Sequence, residues 1–285
     1  MKDFVSRMKL SELAKLASEL KIEDQFKRLQ FLAVGFENVE VESFDETMQR
    51  FKTVDNRKIT ERWQHFAQAH DKVFDGNLAS VKAVRIVNNS LKIQLRLSSF
   101  SRYIGTRSSE PRPINLSRKI LDEDYALPLT VGSVTVTKDN WIMLGVKKRE
   151  VRTDRYLSSS ANYISLIPLG YFDPDEDMLN RKYRPDLTIW REFAEELGME
   201  RAGELHAIGL ICDFVEKQQP LLVFRLDLPL RKVQVQRQIE GLSEHSGLVF
   251  FPDGNFQEMR ELLNKSIVST HALGAIMLHT ALSNK

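Results

Sequence analysis

Three glutamates packed into five residues constrain this chain more than any other feature: Glu192, Glu195 and Glu196 in Arg191-Glu-Phe-Ala-Glu-Glu-Leu-Gly-Met199. On an α-helix they stand at i, i+3 and i+4, so their carboxylates share one side. Leu187, Trp190, Ala194 and Leu197 are then expected to form the opposite, core-facing stripe. Gly198 is the expected terminator, because glycine takes the left-handed conformation past a last turn. Such a helix is electrostatically poor on its own. Like charges at i,i+4 repel by a few tenths of a kcal/mol, and acids near a C-terminus oppose the helix dipole by about as much. Two readings follow: a solvated acidic face paired with nearby Lys or Arg, or a bound cation. For a cation, a hard divalent ion with oxygen ligands, Mg²⁺ or Mn²⁺, suits carboxylates better than Zn²⁺, which favours His or Cys.

The rest of the composition narrows the setting. At 285 residues and 42% hydrophobic content the chain can build one large domain or two smaller ones. Its 41 Lys+Arg nearly cancel its 39 Asp+Glu, so no global field would hold a polyanion or an anionic membrane, and neither nucleic acid nor membrane is expected as a partner. Cys212 is the single cysteine, which excludes an internal disulfide and a cysteine metal cluster and reads as a buried, inert thiol. Met1 to Lys9 carries charges on both sides of a few apolar residues, unlike a signal core, and no apolar run reaches membrane-spanning length. A cytoplasmic protein is expected.

Along the chain, Leu10 to Lys21 has a helical apolar period with Ser11 placed to cap it, and a second helical stretch is expected over Glu23 to Val34. Val39, Val41 and Phe44 alternate, and another helix is expected around Ile59 to Ala69. Val81 to Leu97 reads as a β-hairpin turning at Asn88-Asn89, and Thr106 to Asp124 as an exposed connection. A soft boundary falls near 125, dividing a smaller helical and β-hairpin region, 1–125, from a domain over 126–285. There, Val131 to Thr137 and Trp141 to Val146 read as a second hairpin. Strands at Tyr163 to Pro168, Glu204 to Cys212, Pro220 to Leu226 and Gly247 to Phe251 alternate with helices at Leu187 to Leu197, Phe256 to Leu263 and Thr270 to Leu282. The expected class is α+β, a mixed sheet sandwiched by helices.

The segment 191–199 resembles the end of the Nudix box, G-x5-E-x7-R-E-U-x-E-E-x-G-U with U apolar: Arg191, Glu192, Phe193, Glu195, Glu196, Gly198 and Met199 satisfy each specified position after x7. Gly132 to Thr137, an Asp-containing turn and Leu144 to Arg149 resemble the strand pair that precedes the box. Ile164-Ser-Leu-Ile-Pro-Leu-Gly170 resembles the strand ending in Pro-Gly-Gly, with Leu169 in place of the first glycine. The departure lies between. Gly170 is 21 residues before Arg191 where the pattern has 14, and the pattern's first Glu falls on Tyr183. Asp173, Asp175, Glu176 and Asp177 sit in the longer loop instead. In the family that first acid mainly orients the arginine, so its loss bears on Arg191 more than on the metal.

A narrower resemblance is to the Nudix group that hydrolyses UDP-glucose and UDP-galactose. That group also has an expanded box loop and carries motifs similar to Trp63, Phe74-Asp-Gly76, Leu97-Ser-Ser-Phe-Ser-Arg-Tyr-Ile-Gly-Thr106, Glu244-His-Ser-Gly-Leu-Val-Phe-Phe251 and Gly274 to Leu278. The likeness covers about residues 57 to 285. It implies an α/β/α sandwich, a small nucleotide substrate, and products that are a nucleoside monophosphate and a sugar 1-phosphate. It also implies Mg²⁺ or Mn²⁺ held by Glu192, Glu195 and Glu196, with the Leu169 carbonyl and Glu244 as further ligands and Arg191 among the catalytic residues. Arg149, following Lys147 and Lys148, ends a strand where the family often contacts phosphate, against the alternative of a solvated strand end. Trp63, Phe100 and Tyr103 read as core before they read as base-stacking groups. ADP-ribose or NADH as substrate, and a nucleotide-sugar-binding domain without catalysis, stay open beside this reading, as does a homodimer.

Overall fold

The computed structural model describes residues 10–51, 54–69, 75–107, 125–148, 163–213, 219–239 and 244–283. Leu10–Leu20 forms helix α1 and buries Leu13, Leu16, Ala17 and Leu20 along the stripe its period demands. Ser11 lies inside this helix instead of capping it. The helix expected over 23–34 is corrected. Helix α2 covers only Glu23–Phe26, and Leu29–Val34 is strand β1, paired antiparallel with residues 209–213. A short apolar run carries no clear period, and a partner strand decides it.

Strand β2 (Asn38–Asp45), helix α3 (Asn56–Gln68), strands β3 (Asn77–Val87) and β4 (Ser90–Ser99) and helix α4 (Phe100–Thr106) follow. The three strands form a small sheet in the order β2-β4-β3, with β2 parallel to β4. Asn88 and Asn89 turn the β3–β4 hairpin at φ 48° and 61°, the left-handed region that two-residue hairpin loops require and asparagine tolerates. One face of this sheet buries Leu91, Ile93 and Leu95 completely. Charged side chains between strands pair Lys92 with Glu40, Arg85 with Glu42 and Lys82 with Asp45. The expected connection over 106–124 lies mostly outside the described residues. Thr106 itself is buried, accepting from the Ala126 amide at 2.9 Å.

The later elements are β5 (Thr130–Val136), β6 (Trp141–Lys147), β7 (Tyr163–Ser165), β8 (Leu169–Tyr171), β9 (Met178–Leu179), β10 (Lys182–Tyr183), α5 (Pro185–Leu197), β11 (Glu204–Asp213), β12 (Gln219–Asp227), α6 (Lys232–Gln238), β13 (His245–Pro252), α7 (Phe256–Lys265), β14 (Ile267–Val268) and α8 (Thr270–Ser283). Among the described residues nine strands join in one sheet ordered β1-β11-β12-β5-β6-β7-β14, with β13 on β6 and β8 on β5. β12 runs parallel to β5 and β14 to β7, and the other pairs are antiparallel, so the sheet is mixed. The β5–β6 hairpin pairs only at Thr135↔Met143 and Val136↔Ile142, because β5 turns away to pair with β8 at Gly132↔Leu169 through Thr130↔Tyr171.

Strand β12 explains the layering. Leu222, Phe224 and Leu226 pack in one cluster with Ile189, Phe193 and Leu197 of α5, while Leu221 and Val223 pack in another with Leu273, Ile276 and Met277 of α8. Successive side chains point to opposite faces, so a strand apolar at nearly every position needs a helix on each side. The result is the expected α+β fold, a mixed sheet between helices. Leu91, Ile93 and Leu95 of the small sheet join the α5 cluster. Each such fully buried Leu, Ile or Phe contributes roughly 1.5–3 kcal/mol of burial free energy. No described helix is long and apolar enough to cross a membrane.

Candidate functional site

Helix α5 starts at Pro185, whose fixed φ suits a first turn, and stops at Gly198 with φ 64°. Its buried stripe differs from the expected one. Ile189, Phe193 and Leu197, spaced i, i+4, i+8, are fully buried with Trp190 beside them, whereas Ala194 is exposed and Leu187 half-buried. At about 100° per residue, Glu196 stands about 60° from Phe193 around the helix, Glu192 about 100° and Glu195 about 160°. Burial follows that order: their side chains are 2%, 13% and 60% exposed. The three acids share a side of the helix but not an environment.

The pairing of β8 with β5 brings Leu169 and Gly170 against this helix. The Leu169 amide donates to Glu196 Oε2 at 3.1 Å, so it is the N–H of Leu169 that the structure brings to the carboxylate. At Gly170 a β-carbon would stand 1.8 Å from Glu192 Oε1, so only glycine leaves room for this carboxylate. Burial pushes the Glu196 carboxyl up to about 9, with Lys147 opposing and Glu192 and Glu244 adding to the rise. Burial likewise pushes Glu192 up to about 7, with Arg191 opposing and Glu195 and Glu244 adding. Glu196 Oε1 is buried without a hydrogen-bond partner, and so is Nδ1 of His245, which lies 3.8 Å away.

Arg191 is held from several directions. Its Nη1 donates to Glu192 Oε1 at 2.8 Å and its Nη2 to the Tyr171 carbonyl at 2.9 Å. Asp177 accepts from Nη2 at 3.3 Å and from Nε at 3.4 Å, and Glu176 lies 3.3 Å from Nε. Burial alone would weaken the guanidinium's charge, but the Asp177 hydrogen bond and the Asp177, Glu192 and Glu195 charges outweigh it, and the pKa is raised. Asp177 is 1% exposed and is fixed in turn by the Thr188 hydroxyl at 2.6 Å and the Asp173 amide at 2.8 Å.

Reasoning from sequence missed Asp177 and Glu176 as the partners of Arg191. Counting back from the arginine arrives at Tyr183, whose ring packs on Phe44 and Phe172. Counting forward from Gly170 by the same pattern arrives at Glu176. The surplus residues lie after it, where β9 and β10 form a short hairpin. The spacing from the glycine was the available signal. Of the other loop acids, Asp173 caps a turn, its Oδ1 accepting from the amides of Asp175 and Glu176.

Glu244, 47% exposed, lies 3.3 Å from Lys147 Nζ, and its carbonyl accepts from the Lys148 amide. Both Glu244 and Lys147 act electrostatically on Glu196. Arg149 lies outside the described residues. Trp63, Phe100 and Tyr103 pack with Phe66 and Tyr171 as an aromatic cluster, the core role expected of them. Among the described residues no three His, Cys, Asp or Glu side chains already meet as a metal cage.

Neither a family model nor a curated protein matches the chain. Solved structures do. The C-terminal domain of mouse MUTYH, in complex with human PCNA, is 12% identical, covering 55% of this chain and 90% of its own, with a TM-score of 0.34. The NUDIX domain of Shewanella oneidensis NrtR, solved with ADP ribose, is 13% identical, covering 55% and 89%, with a TM-score of 0.32. The E. coli ORF135 protein is 17% identical, covering 55% and 92%, with a TM-score of 0.33. Likenesses this slight assign neither substrate nor activity, and the site is read from its own residues.

Proposed function

We propose that this chain is a Nudix-type hydrolase that uses a divalent cation to cleave the diphosphate bond of a nucleoside diphosphate linked to another group, with UDP-hexoses preferred. The observation that carries the reading is the burial of Glu192 and Glu196 on one helix, with Glu196 Oε1 lacking any hydrogen-bond partner. An unpaired buried carboxylate oxygen is costly; a proton relieves it in the metal-free chain, and a bound cation would take that proton's place. Oxygen donors of this kind fit Mg²⁺ or Mn²⁺. Glu192, Glu195 and Glu196 would hold the ion, which, when bound, neutralises charge on the diphosphate and acidifies a water.

The remaining work falls to the chain's own groups. Asp177 and the Tyr171 carbonyl fix Arg191, and Arg191 in turn fixes the Glu192 carboxylate against Gly170. Glu244 is the acid offered from outside the helix, half-exposed, where it can take a proton from water. Lys147 beside it supplies positive charge for phosphate oxygens, and Arg149 is proposed to extend that charge. A binding domain without catalysis gained its appeal from the missing acid at position 183. Asp177 and Glu176 beside Arg191 supply acids in that role, which supports the catalytic reading over the binding one.

The uridine and hexose preference rests on the likeness of Trp63, the 97–106 stretch and the late segments to the UDP-sugar group. The test is a panel of UDP-glucose, UDP-galactose, ADP-ribose and NADH with Mg²⁺, Mn²⁺ or chelator. UMP and hexose 1-phosphate, formed only with metal and fastest from the UDP-hexoses, are expected. Equal rates on ADP-ribose would remove the substrate preference, and UDP plus free hexose as products would remove the diphosphate reading itself.

A further inference from the structure

His245 opens β13 and is 1% exposed, its ring pressed so closely on Gly145 that a β-carbon there would stand 2.2 Å from Cδ2. Packing therefore fixes the ring's plane. The Ser165 hydroxyl donates to the Leu166 carbonyl at 3.2 Å, leaving its oxygen to accept from His245 Nε2 at 3.5 Å. That arrangement puts the ring proton on Nε2 and a lone pair on Nδ1. Nδ1 faces Glu196 Oε1 across 3.8 Å, and both atoms are buried with no hydrogen-bond partner. Both atoms thus border one gap.

The width of the gap lies nearer to a shared ion than to a shared proton. A hydrogen bond between nitrogen and oxygen spans roughly 2.7–3.2 Å, so 3.8 Å is too wide for a shared proton. Two ligands each ~2.1 Å from one metal ion stand roughly 3–3.5 Å apart, a few tenths of an ångström inside the observed separation. We infer that His245 Nδ1 and Glu196 Oε1 are joint ligands of one divalent cation, a mixed nitrogen and oxygen site that favours Mn²⁺, Co²⁺ or Zn²⁺ over Mg²⁺. Imidazole suits the transition ions and adds little for Mg²⁺, which prefers oxygen throughout.

This rests on the proposed carboxylate metal site and adds a ligand from outside the glutamate helix. The experiment is pulsed electron paramagnetic resonance of Mn²⁺ bound to the full chain, first stripped with chelator, in unlabelled protein and in protein carrying ¹⁵N-histidine. Imidazole ¹⁴N modulation that changes to ¹⁵N on labelling, and disappears in His245→Gln with at least ~10-fold weaker Mn²⁺ binding, is expected. The preference for Mn²⁺ over Mg²⁺ should shrink in the same variant. Mn²⁺ bound without nitrogen coupling overturns the His245 ligand and leaves the carboxylate site standing; no Mn²⁺ binding by the wild type overturns both. Coupling that persists in folded His245→Gln also overturns it, and if that variant does not fold, the labelled wild type decides whether a histidine ligates.

Discussion

The Glu192 carboxylate occupies the space where a side chain at Gly170 would begin, 1.8 Å from Oε1 to the missing β-carbon. Gly170→Ala should therefore displace Glu192 before it disturbs the fold. Turnover is expected to fall at least ~10-fold, about 1.4 kcal/mol in the barrier, with a stability change of about 1 kcal/mol or less. Rates and thermal midpoints measured together check this. An alanine variant with wild-type turnover would show that the Glu192 position is incidental.

Asp177 and Glu176 both reach Arg191, yet one is 1% exposed and the other 62%. Asp177→Asn keeps the shape and removes the buried charge that faces the guanidinium, a charged hydrogen bond worth about 1.5–3 kcal/mol. Glu176→Gln should cost about 0–1 kcal/mol, as exposed ion pairs do. Urea unfolding of the two variants separates them. Equal losses would mean that the arginine is oriented by the summed loop charge and not by Asp177.

Stability of the metal-free protein should fall as pH rises. The ordinary glutamate value is 4.5, and in the folded chain Glu192 stands at about 7 and Glu196 at about 9. Both carboxyls bind their protons more tightly folded than unfolded, so their contribution is intact below about pH 4.5 and is withdrawn as pH climbs through those raised values. Glu196→Gln mimics the protonated side chain and should flatten the upper part of the fall. Excess Mn²⁺ should offset it in the wild type. A thermal midpoint that rises between pH 6 and 9 in chelator would contradict this sign.

The fold class was legible because strands and helices alternate with clear periods. Gly198 as terminator and Asn88-Asn89 as a turn were legible because only a few residues tolerate left-handed backbone. Leu29–Val34 was not, since an edge strand is settled by its neighbour β11 and not by its own pattern. The glutamates were visible as a group, but their unequal burial was not: shifting the core stripe to Ile189 and Phe193 turns Glu196 inward and leaves Glu195 outside. His245 stood in the sequence only as part of the 244–251 segment, with nothing to mark it as a ligand. It matters through its distance from Glu196, and no local pattern encodes a contact between residues forty-nine positions apart.

The most direct test of a catalytic metal site on α5 is turnover of UDP-glucose by Glu195→Gln and Glu196→Gln at limiting Mg²⁺ or Mn²⁺. Each substitution keeps the side chain's shape and removes one anionic oxygen donor, so the cation binds less tightly and developing charge is less well neutralised. A loss of roughly 10²–10³-fold, about 3–4 kcal/mol, is predicted for each, and the metal-free variants should be as stable as the wild type or slightly more so. Near-normal turnover of both variants at limiting metal would contradict the account and leave the glutamates as a charged helix face.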